Sequence, residues 1–322
     1  MATIQKPIKW QGRDDLEEPS PAQRWHHRVV LSPTDDALDP AQCCGLIGFA
    51  CDAGVTRNRG RSGAAAGPAA LREQLRNLSW HGGDRHLIDF GNVVVEDDGL
   101  EAGHKLLATQ VADALAKVAR LLVVGGGHET AFGSFSGLHK ALGADTKIGI
   151  INLDAHFDLR RPGPAGPSSG TPFFQIEALS GADNFHYFCL GVAKETNAQA
   201  LFQRADDWAV RYRLDTEMSM TQLAQIKAEL AAFTKPLDAL YLTIDMDVLP
   251  HYQAPGVSAP AVRGVAFEVI EAVIGQVIEC AQDCRFGLPL VELTELNPSY
   301  DLQGVTARTA AVLASALLKN DF

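Results

Sequence analysis

Acidic and histidine side chains are concentrated in three short segments of the 322-residue chain. The segments are Gly-Gly-Gly-His at 125–128, Asp-Ala-His-Phe-Asp at 154–158 and Asp-Met-Asp at 245–247, and each follows an apolar run. Together they supply six candidate metal ligands: His128, Asp154, His156, Asp158, Asp245 and Asp247. Two imidazoles and four carboxylates can hold two divalent cations side by side, and such a pair can turn a shared water into hydroxide at neutral pH. The segments therefore predict a metal-dependent hydrolase.

The spacing of these residues favours convergence of their side chains. Residues two apart in an extended chain point to the same side, so Asp154, His156 and Asp158 can converge while the residues between them point into the protein. The same rule places Asp245 beside Asp247. We expect Asp154 and Asp245 to bridge the two cations. Imidazole with several carboxylates suits manganese-like cations of borderline hardness.

Each segment also has a simpler explanation when it is taken alone. An Asp-x-Asp pair often ends a strand or caps a helix, and Gly-Gly-Gly-His can form a tight turn or a phosphate cradle at a helix N-terminus. The triple glycine matches neither the Walker nor the dinucleotide fingerprint, which disfavours a nucleotide site. Three ionisable groups on one side of a chain would repel one another without a cation. Together, the segments therefore favour a metal site over a structural hydrogen-bond network.

Apolar runs typical of buried strands alternate along the chain with patterns typical of helices. The strand-like runs are 43–50, 86–95, 120–126, 147–154, 185–192, 239–247 and 287–293. The helical patterns are 67–78, 100–119, 219–233, 266–281 and 306–320. This alternation predicts an α/β fold in which a mostly parallel central sheet has helices on both faces. Ligands of such sheets gather at the carboxyl ends of the strands, where the three segments are expected to lie.

The length and composition fit one domain. We expect residues 1–40 to form a polar N-terminal arm packed on or flanking the domain, and residues 41–322 to form a single catalytic domain. The Gly-, Pro- and Ser-rich stretch at 161–172 is too short to separate domains and is typical of an active-site loop.

The composition also argues against several other classes of protein. A formal net charge of −11 disfavours a general nucleic-acid binder. No apolar run of about twenty residues is present, so no transmembrane helix is expected. The first residues lack the apolar core of a secretory signal. The six cysteines have no metal-finger spacing, so we expect reduced core residues of a cytoplasmic protein.

Five strings of the chain resemble the ureohydrolase family, which includes arginase, agmatinase and formimidoylglutamase. In chain order they are GGGHE, NLDAHFDLR, SSGTPF, DMDVLP and ELNPS, and the resemblance covers residues 43–320. It implies a three-layer α/β/α sandwich with a mostly parallel central sheet and two Mn²⁺ ions at the strand ends. The resemblance assigns to one ion His128, Asp154, Asp158 and Asp245. It assigns to the other Asp154, His156, Asp245 and Asp247.

The resemblance also implies the chemistry of the site. In the family, a metal-bridging hydroxide attacks an amidine-type carbon, and cleavage of the C–N bond follows. Glu295, in the string ELNPS, would pair with the cationic amidine or guanidine of the substrate; the alternative for this residue is a helix-start acid. Asp158 could relay a proton from the attacking water to the leaving amine, because no other general acid is identified.

Longer strings look most like the formimidoylglutamase branch of the family. They span residues 54–72, 152–160, 168–175 and 247–265. Members of that branch hydrolyse N-formimidoyl-L-glutamate to L-glutamate and formamide in histidine degradation. The resemblance therefore implies a small acidic amidine as substrate, whose carboxylates call for cationic or hydroxyl donors in the pocket.

Arg160 and Ser169 are, with Glu295, the predicted substrate-binding residues. Arg160 lies two residues past Asp158 and can hold a carboxylate with two parallel hydrogen bonds, while Ser169 can add a hydroxyl donor. Four further arginines are equally compatible with substrate contact and with a solvated surface: Arg57, Arg59, Arg61 and Arg263. His251 follows Asp-Val-Leu-Pro closely and is a further candidate for substrate contact.

The chain departs from the guanidine hydrolases of the family at two places. Arginases carry a histidine shortly after their Ser-Gly, and agmatinases carry one just before the Gly-Thr. Here those places hold Thr-Pro-Phe at 171–173 and Ser169, which argues against both activities. Gly127 also stands where many relatives have Asp, and we expect metal binding to survive this change.

Two alternatives stay open at the level of the sequence. One is another guanidino-acid or amidine hydrolase of the same family. The other is a catalytically silent, metal-stabilised assembly protein, which an intact set of six ligands disfavours. Members of the family commonly form symmetric multimers, which implies a homo-oligomer acting on a small-molecule substrate. The composition predicts no nucleic-acid or membrane partner.

Overall fold

The computed structural model describes residues 1–18, 22–31 and 38–319. The strands in these ranges are β1 (Ala2–Gln5), β2 (Val29–Leu31), β3 (Cys43–Ala50), β4 (His86–Val95), β5 (Arg120–Val124), β6 (Ile148–Leu153), β7 (His186–Val192), β8 (Arg211–Leu214), β9 (Ala239–Asp245) and β10 (Leu290–Thr294). The α-helices are α1 (Ala53–Arg57), α2 (Gly67–Leu75), α3 (Leu100–Leu115), α4 (Thr130–Leu142), α5 (Pro172–Ser180), α6 (Gln199–Asp207), α7 (Leu223–Thr234), α8 (Phe267–Ala281) and α9 (Val305–Lys319). None of the helices in these ranges has the length and apolar character needed to cross a bilayer.

The strands form one sheet with the order β1-β4-β3-β5-β10-β9-β6-β7-β8, and β2 also pairs with β4. β1 runs antiparallel to β4, whereas every other pairing is parallel. The predicted mostly parallel central sheet is confirmed.

Helices cover both faces of this sheet. Leu122 and Val124 of β5 belong to a hydrophobic cluster with residues of α2, α7, α8 and α9. Leu121 and Val123 point the other way, into a second cluster with residues of α3, α4, α5 and α6. Because successive strand residues face opposite sides, each buried strand feeds both cores. The three-layer α/β/α architecture is therefore confirmed.

The buried strands and the helix patterns follow from simple features of the sequence. Every residue of β6 and β9 is buried, as expected for the continuous apolar runs of a sheet covered on both sides. α8 buries residues at helical spacing, among them Val269, Val273 and Val277. α4 is followed by Gly143, whose φ of 92° suits glycine and whose N–H donates to the carbonyl of His139 at 3.0 Å.

Four adjacent strands bring the predicted site residues to one edge of the sheet. β5, β10, β9 and β6 are neighbours in that order and run parallel. The segments 125–128 and 154–158 directly follow β5 and β6, Asp245 ends β9, and Glu295 follows β10. Segments that are remote in sequence therefore meet at the carboxyl ends of these strands, as the α/β pattern predicts.

The N-terminal region is more closely tied to the sheet than its polar sequence indicated. β1 and β2 both pair with β4, and neither strand was predicted. Trp25 is fully buried and packs edge-on against Trp80, with ring centroids 4.7 Å apart. Residues 19–21 and 32–37 of the predicted arm lie outside the described residues, as does residue 320 of the last predicted helix. The division of the chain at residue 40 stays a prediction.

Candidate metal centre

His128 lies at the centre of a buried group of carboxylates. Its Nδ1 atom is 3.0 Å from Asp154 Oδ2, 3.1 Å from Asp158 Oδ2 and 3.3 Å from Asp245 Oδ2. The structure thus brings four predicted ligands together, and their donor atoms all lie within 4.8 Å of one another. Three carboxylate oxygens and one imidazole nitrogen are a donor set that suits a divalent cation.

A second group of donors adjoins the first. His156 Nδ1 is 3.1 Å from Asp247 Oδ2 and 3.6 Å from Asp154 Oδ1. Asp154 therefore turns one oxygen towards each group, which is the geometry of a carboxylate bridge. The second group comprises Asp154, His156 and Asp247. Asp245 Oδ1 instead accepts a hydrogen bond from the Asp247 amide at 2.8 Å, so bridging by Asp245 stays a prediction.

The predicted convergence is present, but an extended chain is not its cause. β6 ends at Leu153, and Asp154 Oδ1 accepts a hydrogen bond from the His156 amide at 2.6 Å, which closes a turn. Asp158 has a φ of 48°, in the left-handed region. The two intervening residues, Ala155 and Phe157, are buried as expected. The assumption of extended backbone was therefore wrong for this segment. The expectation that Ala155 and Phe157 point into the protein was right.

The segment after β9 turns in a similar way. Met246–Val248 is one turn of 3-10 helix, and the carboxylate of Asp245 caps its start. An aspartate commonly fills this capping position because its oxygen accepts from a free amide of the first turn. The cap holds Asp245 and Asp247 on the same side, although the backbone between them is not extended.

The hydrogen bonds around His128 leave its Nδ1 atom as the ring nitrogen that faces the carboxylates. His128 Nε2 is 3.0 Å from Thr243 Oγ1, and that hydroxyl donates to Glu292 Oε1 at 3.0 Å. Nε2 therefore carries the proton, and Nδ1 has no hydrogen-bond partner although it is buried. A lone pair aimed at three carboxylate oxygens is repulsive unless a cation or a proton lies between them. The residues present thus fit a divalent cation at this position.

The pKa shifts of the donor residues also fit bound cations. Burial opposes the charged form of His128, but the carboxylates of Asp154, Asp158 and Asp245 raise its pKa well above the usual value. Burial, and then the neighbouring Asp247 and Asp154, raise the pKa of Asp245 well above its usual value. Without metal, the raised pKa values mean that protons stay bound within the group and offset its negative charge. Two cations could replace those protons.

Buried polar residues behind the cluster hold the ligands in place. Glu292 accepts from Tyr241 at 2.8 Å and from Ser134, in addition to Thr243. This network orients His128 through Thr243, in the way that a carboxylate orients a metal-binding histidine. The sequence interpretation missed these residues, although one signal was available. Thr243 stands two residues before Asp245 on the same strand face.

A second support holds the turn after β6. Asn152 Nδ2 donates to Asp154 Oδ2 at 3.0 Å and lies 2.9 Å from the Tyr187 hydroxyl. Asn197 accepts from the Phe157 amide at 3.1 Å and donates to the Ala155 carbonyl at 2.9 Å. These side chains fix the backbone that carries Asp154, His156 and Asp158. Asn152 stands two residues before Asp154, the predicted metal ligand that it contacts, and this spacing was a signal in the sequence. No such signal pointed to Asn197.

Glu295 lies beside the cluster with one oxygen free. Its φ is 62°, Oε1 accepts from the His128 amide at 3.1 Å, and Oε2 is buried without a hydrogen-bond partner. Burial raises its pKa well above the usual value, with further contributions from Glu129 and Asp247. An unpartnered buried carboxylate oxygen that faces a cleft is suited to a cationic ligand group.

Gly127 leaves room for the carboxylates beside His128. A Cβ atom at this position would lie 2.2 Å from Glu129 Oε2, 2.4 Å from Val55 Cγ2 and 3.0 Å from Glu295 Oε1. Glu129 is buried, and its Oε1 accepts from the Gly54 amide at 3.2 Å. The side chain of Glu129 therefore fills the space that a residue larger than glycine at 127 would need.

Gly127→Ala should lower the free energy of unfolding of the metal-free protein by about 1–3 kcal/mol, the usual cost of overpacking. Urea unfolding monitored by circular dichroism measures the change. Gly163→Ala is the matched control, because a Cβ at Gly163 would meet no heavy atom within 4 Å. Equal stability of the two variants would show that the space around Gly127 is not restricted.

The metal cluster opens into a cleft of about 360 Å³. The predicted residues His156, Asp158, Asp245, Asp247, Arg160, Ser169 and Glu295 all line it. Ser169 Oγ accepts from Asn58 Nδ2 at 3.1 Å, which ties the loop 161–172 to the end of α1. His128 and Asp154 lie buried beneath this lining. A cleft of this volume suits a small molecule.

The structure separates the arginines that the sequence left undecided. Arg57 is paired with Asp98 and Glu101, and Arg263 with Asp215, so neither guanidinium is available to the cleft. His251 is exposed and is absent from the cleft lining.

The two remaining arginines, Arg59 and Arg61, do line the cleft. Arg61 Nε donates to the Ser258 carbonyl at 2.9 Å, and its guanidinium lies 4.1 Å from the Tyr300 ring centroid. Arg61 is therefore engaged by the protein itself, whereas Arg59 is exposed.

The sequence model of the Arginase family matches residues 42–319. The chain therefore belongs to the arginase family, and it is a hydrolase. It is 48% identical over 313 residues to a formimidoylglutamase of Aeromonas hydrophila subsp. hydrophila, covering 96% of each chain. It is 46% identical over 313 residues to a formimidoylglutamase of Chromobacterium violaceum, covering 97% of each.

Solved structures share the fold. The formimidoylglutamase of Bacillus subtilis subsp. subtilis strain 168 superposes with a TM-score of 0.79 at 21% identity, covering 94% of this chain and 93% of that one. Trypanosoma cruzi formiminoglutamase with Mn²⁺₂ superposes with a TM-score of 0.78 at 24% identity, covering 93% and 98%. The expected arginase-like fold is confirmed.

Proposed function

We propose that the protein hydrolyses N-formimidoyl-L-glutamate to L-glutamate and formamide, as a step of histidine degradation. The observation that carries the proposal is the identity of nearly half over almost the full chain with relatives named formimidoylglutamase. The cleft agrees with this substrate. Glu295, which has a buried oxygen without a hydrogen-bond partner, lines it together with Arg160 and Ser169.

The two donor groups would hold two Mn²⁺ ions. Bound there, the ions would act as Lewis acids and make water a nucleophile at neutral pH. His128, Asp158 and Asp245 would hold one ion and His156 and Asp247 the other, with Asp154 shared. The homo-oligomeric state and the cytoplasmic location expected from the sequence remain predictions.

Glu295 would bind the protonated amidine through Oε2. The His128 amide holds Oε1 at 3.1 Å, so the carboxylate is fixed in orientation before substrate enters. Two cations bound beside Glu295 would favour its ionised form, and a carboxylate held against a cationic amidine would place the reacting carbon beside the metal cluster. Asp158 lines the cleft and is the residue that we propose passes a proton to the departing amine.

Arg160 and Ser169 would bind the glutamate end of the substrate. The Arg160 amide donates to the Gly170 carbonyl at 2.9 Å, so the residue is anchored while its side chain stays exposed. An arginine can form two parallel hydrogen bonds with a carboxylate, which gives orientation as well as affinity.

A substrate panel tests the proposed activity. The manganese-loaded protein should release formamide and L-glutamate from N-formimidoyl-L-glutamate, with kcat/KM at least about 100-fold above that for arginine, agmatine or guanidino acids, because these lack the second carboxylate. Mass spectrometry of the products distinguishes formamide from urea. Release of urea as the main product would show a guanidine hydrolase, and metal-dependent stabilisation without any turnover would show a silent assembly protein.

A further inference from the structure

Two arginines of the cleft have side chains that the protein itself does not engage. Arg59, Arg61 and Arg160 line the cleft, and Arg61 is bound to carbonyls of the segment 257–258. Among the described residues, no hydrogen bond, ion pair or ring contact is formed by the guanidinium of Arg59 or of Arg160. Both residues are exposed. Two cations are therefore available at the mouth of the cleft.

The backbone at Arg59 is held in an uncommon conformation. Its φ is 62°, in the left-handed region that side chains other than Gly, Asn and Asp seldom adopt. The Arg59 amide donates to the Thr56 carbonyl at 2.9 Å, and the Gly60 amide donates to the Val55 carbonyl at 2.8 Å. This turn at the end of α1 keeps Arg59 in the lining of the cleft.

Arg59 and Arg160 lie on segments that touch each other. The Asn58 side chain donates to Ser169, and a Cβ at Gly170 would lie 2.9 Å from Arg160 Cδ and 3.3 Å from Asn58 Nδ2. The residue before Arg59 and the stem of Arg160 therefore meet over Gly170. Arg59 and Arg160 thus line the cleft from adjoining segments.

The charges along the cleft change sign from the inner end to the mouth. Asp245, Asp247 and Glu295 of the lining are buried and Asp158 is partly buried, whereas the free arginines of the lining are exposed. A ligand that matches this distribution has one cationic end and two separate anionic groups. We propose that Arg59 and Arg160 each bind one of the two carboxylates of the substrate, which makes Arg59 a second specificity-determining residue. This inference rests on the proposed function.

Paired changes in enzyme and substrate test the inference. Arg59→Gln and Arg160→Gln are assayed with manganese on N-formimidoyl-L-glutamate and on its two monoamides, in which either the side-chain or the α-carboxylate is a neutral amide of the same size. On the diacid, each variant should lose about 10- to 100-fold in kcat/KM, mostly through KM, as expected for a hydrogen bond to a charged group.

The test is whether the loss caused by each arginine substitution depends on which carboxylate the substrate lacks. On the monoamide that lacks the carboxylate bound by the substituted arginine, kcat/KM of the variant should fall less than about 3-fold relative to the wild-type protein. On the other monoamide, kcat/KM should fall as much as it does on the diacid. The inference is overturned if Arg59→Gln matches the wild-type protein on the diacid, if its loss is the same on all three substrates, or if both arginines couple to the same carboxylate.

Control variants separate substrate contact from general charge and folding. Arg161→Gln removes a neighbouring exposed guanidinium that lies over the Phe174 ring and does not line the cleft, and it should leave kcat/KM unchanged. Arg59→Asn should reproduce the loss of Arg59→Gln, because asparagine accepts the left-handed backbone readily. If the wild-type protein releases formamide from none of the three substrates, the proposed function fails, and the outcome is distinct from failure of the arginine assignment.

Discussion

Asp154→Ala should lower turnover by roughly 1,000-fold or more and reduce the manganese content from two ions per chain to one or none. Asp154 is the carboxylate that turns one oxygen to each donor group, so its loss removes a ligand from both positions at once. Metal-ion catalysis contributes several kcal/mol of transition-state stabilisation, and each 1.36 kcal/mol is a factor of ten in rate. Elemental analysis of the dialysed protein and initial rates on N-formimidoyl-L-glutamate measure the two effects.

Thermal unfolding adds a readout that does not depend on turnover. Manganese should raise the melting temperature of the wild-type protein, because it binds the folded state, and should raise that of Asp154→Ala much less. Without metal, the variant should be about 1–3 kcal/mol less stable than the wild-type protein, because it leaves the His156 amide and the buried Asn152 side chain without their Asp154 acceptor, so the readout is the shift that manganese causes in each protein. Asp183→Ala, at an exposed position, is the control that should keep both the metal and the activity. Wild-type turnover by Asp154→Ala would contradict the bridging role.

Glu295→Gln should lower kcat/KM by about 100-fold or more while leaving two manganese ions bound. Glutamine keeps an oxygen that can accept from the His128 amide, so the backbone of the site should persist. The change removes the negative charge that would face the amidine, and a buried hydrogen bond to a charged group is worth about 1.5–3 kcal/mol in stability and more where charge develops in a reaction. Initial rates over a range of substrate concentrations measure the loss.

Metal content distinguishes this variant from Asp154→Ala. Loss of manganese in Glu295→Gln would show that Glu295 supports the metal cluster and does not serve mainly to bind substrate. Unchanged kcat/KM would remove Glu295 from the substrate site altogether. Glu279→Gln, on the exposed side of α8, is the matched control and should behave as the wild-type protein does.

The fold was predictable where a strand is buried on both sides. β6 and β9 are buried, mostly apolar runs, and such runs identify strands of a covered parallel sheet. β1 and β2 could not be identified in this way, because they have four and three residues and no buried position. α4 was missed because its sequence contains Gly133 and Gly137. A Cβ at either position would lie within 3 Å of a side chain of α3, so the glycines serve close helix packing.

The six ligands were predictable because their types and their places after strands are local features of the sequence. The buried side chains that orient these ligands were not predictable, because their contacts depend on which strands are neighbours in the sheet. Glu292 reaches Thr243 only because β10 lies beside β9 in the sheet. The partners of Arg57 and Arg263 are equally remote, since Asp98 and Asp215 lie on other segments of the chain. The sequence therefore could not separate these paired arginines from the unpaired Arg59.

A crystal structure of the manganese-loaded protein with anomalous scattering data tests the central claim most directly, because it locates each ion and its ligands. We expect two anomalous peaks per chain, one beside His128 and Asp158 and the other beside His156 and Asp247, with Asp154 in contact with both. Absence of both peaks, a single peak, or carboxylates bonded only to the two histidines would contradict the two-metal centre and the hydrolysis built on it.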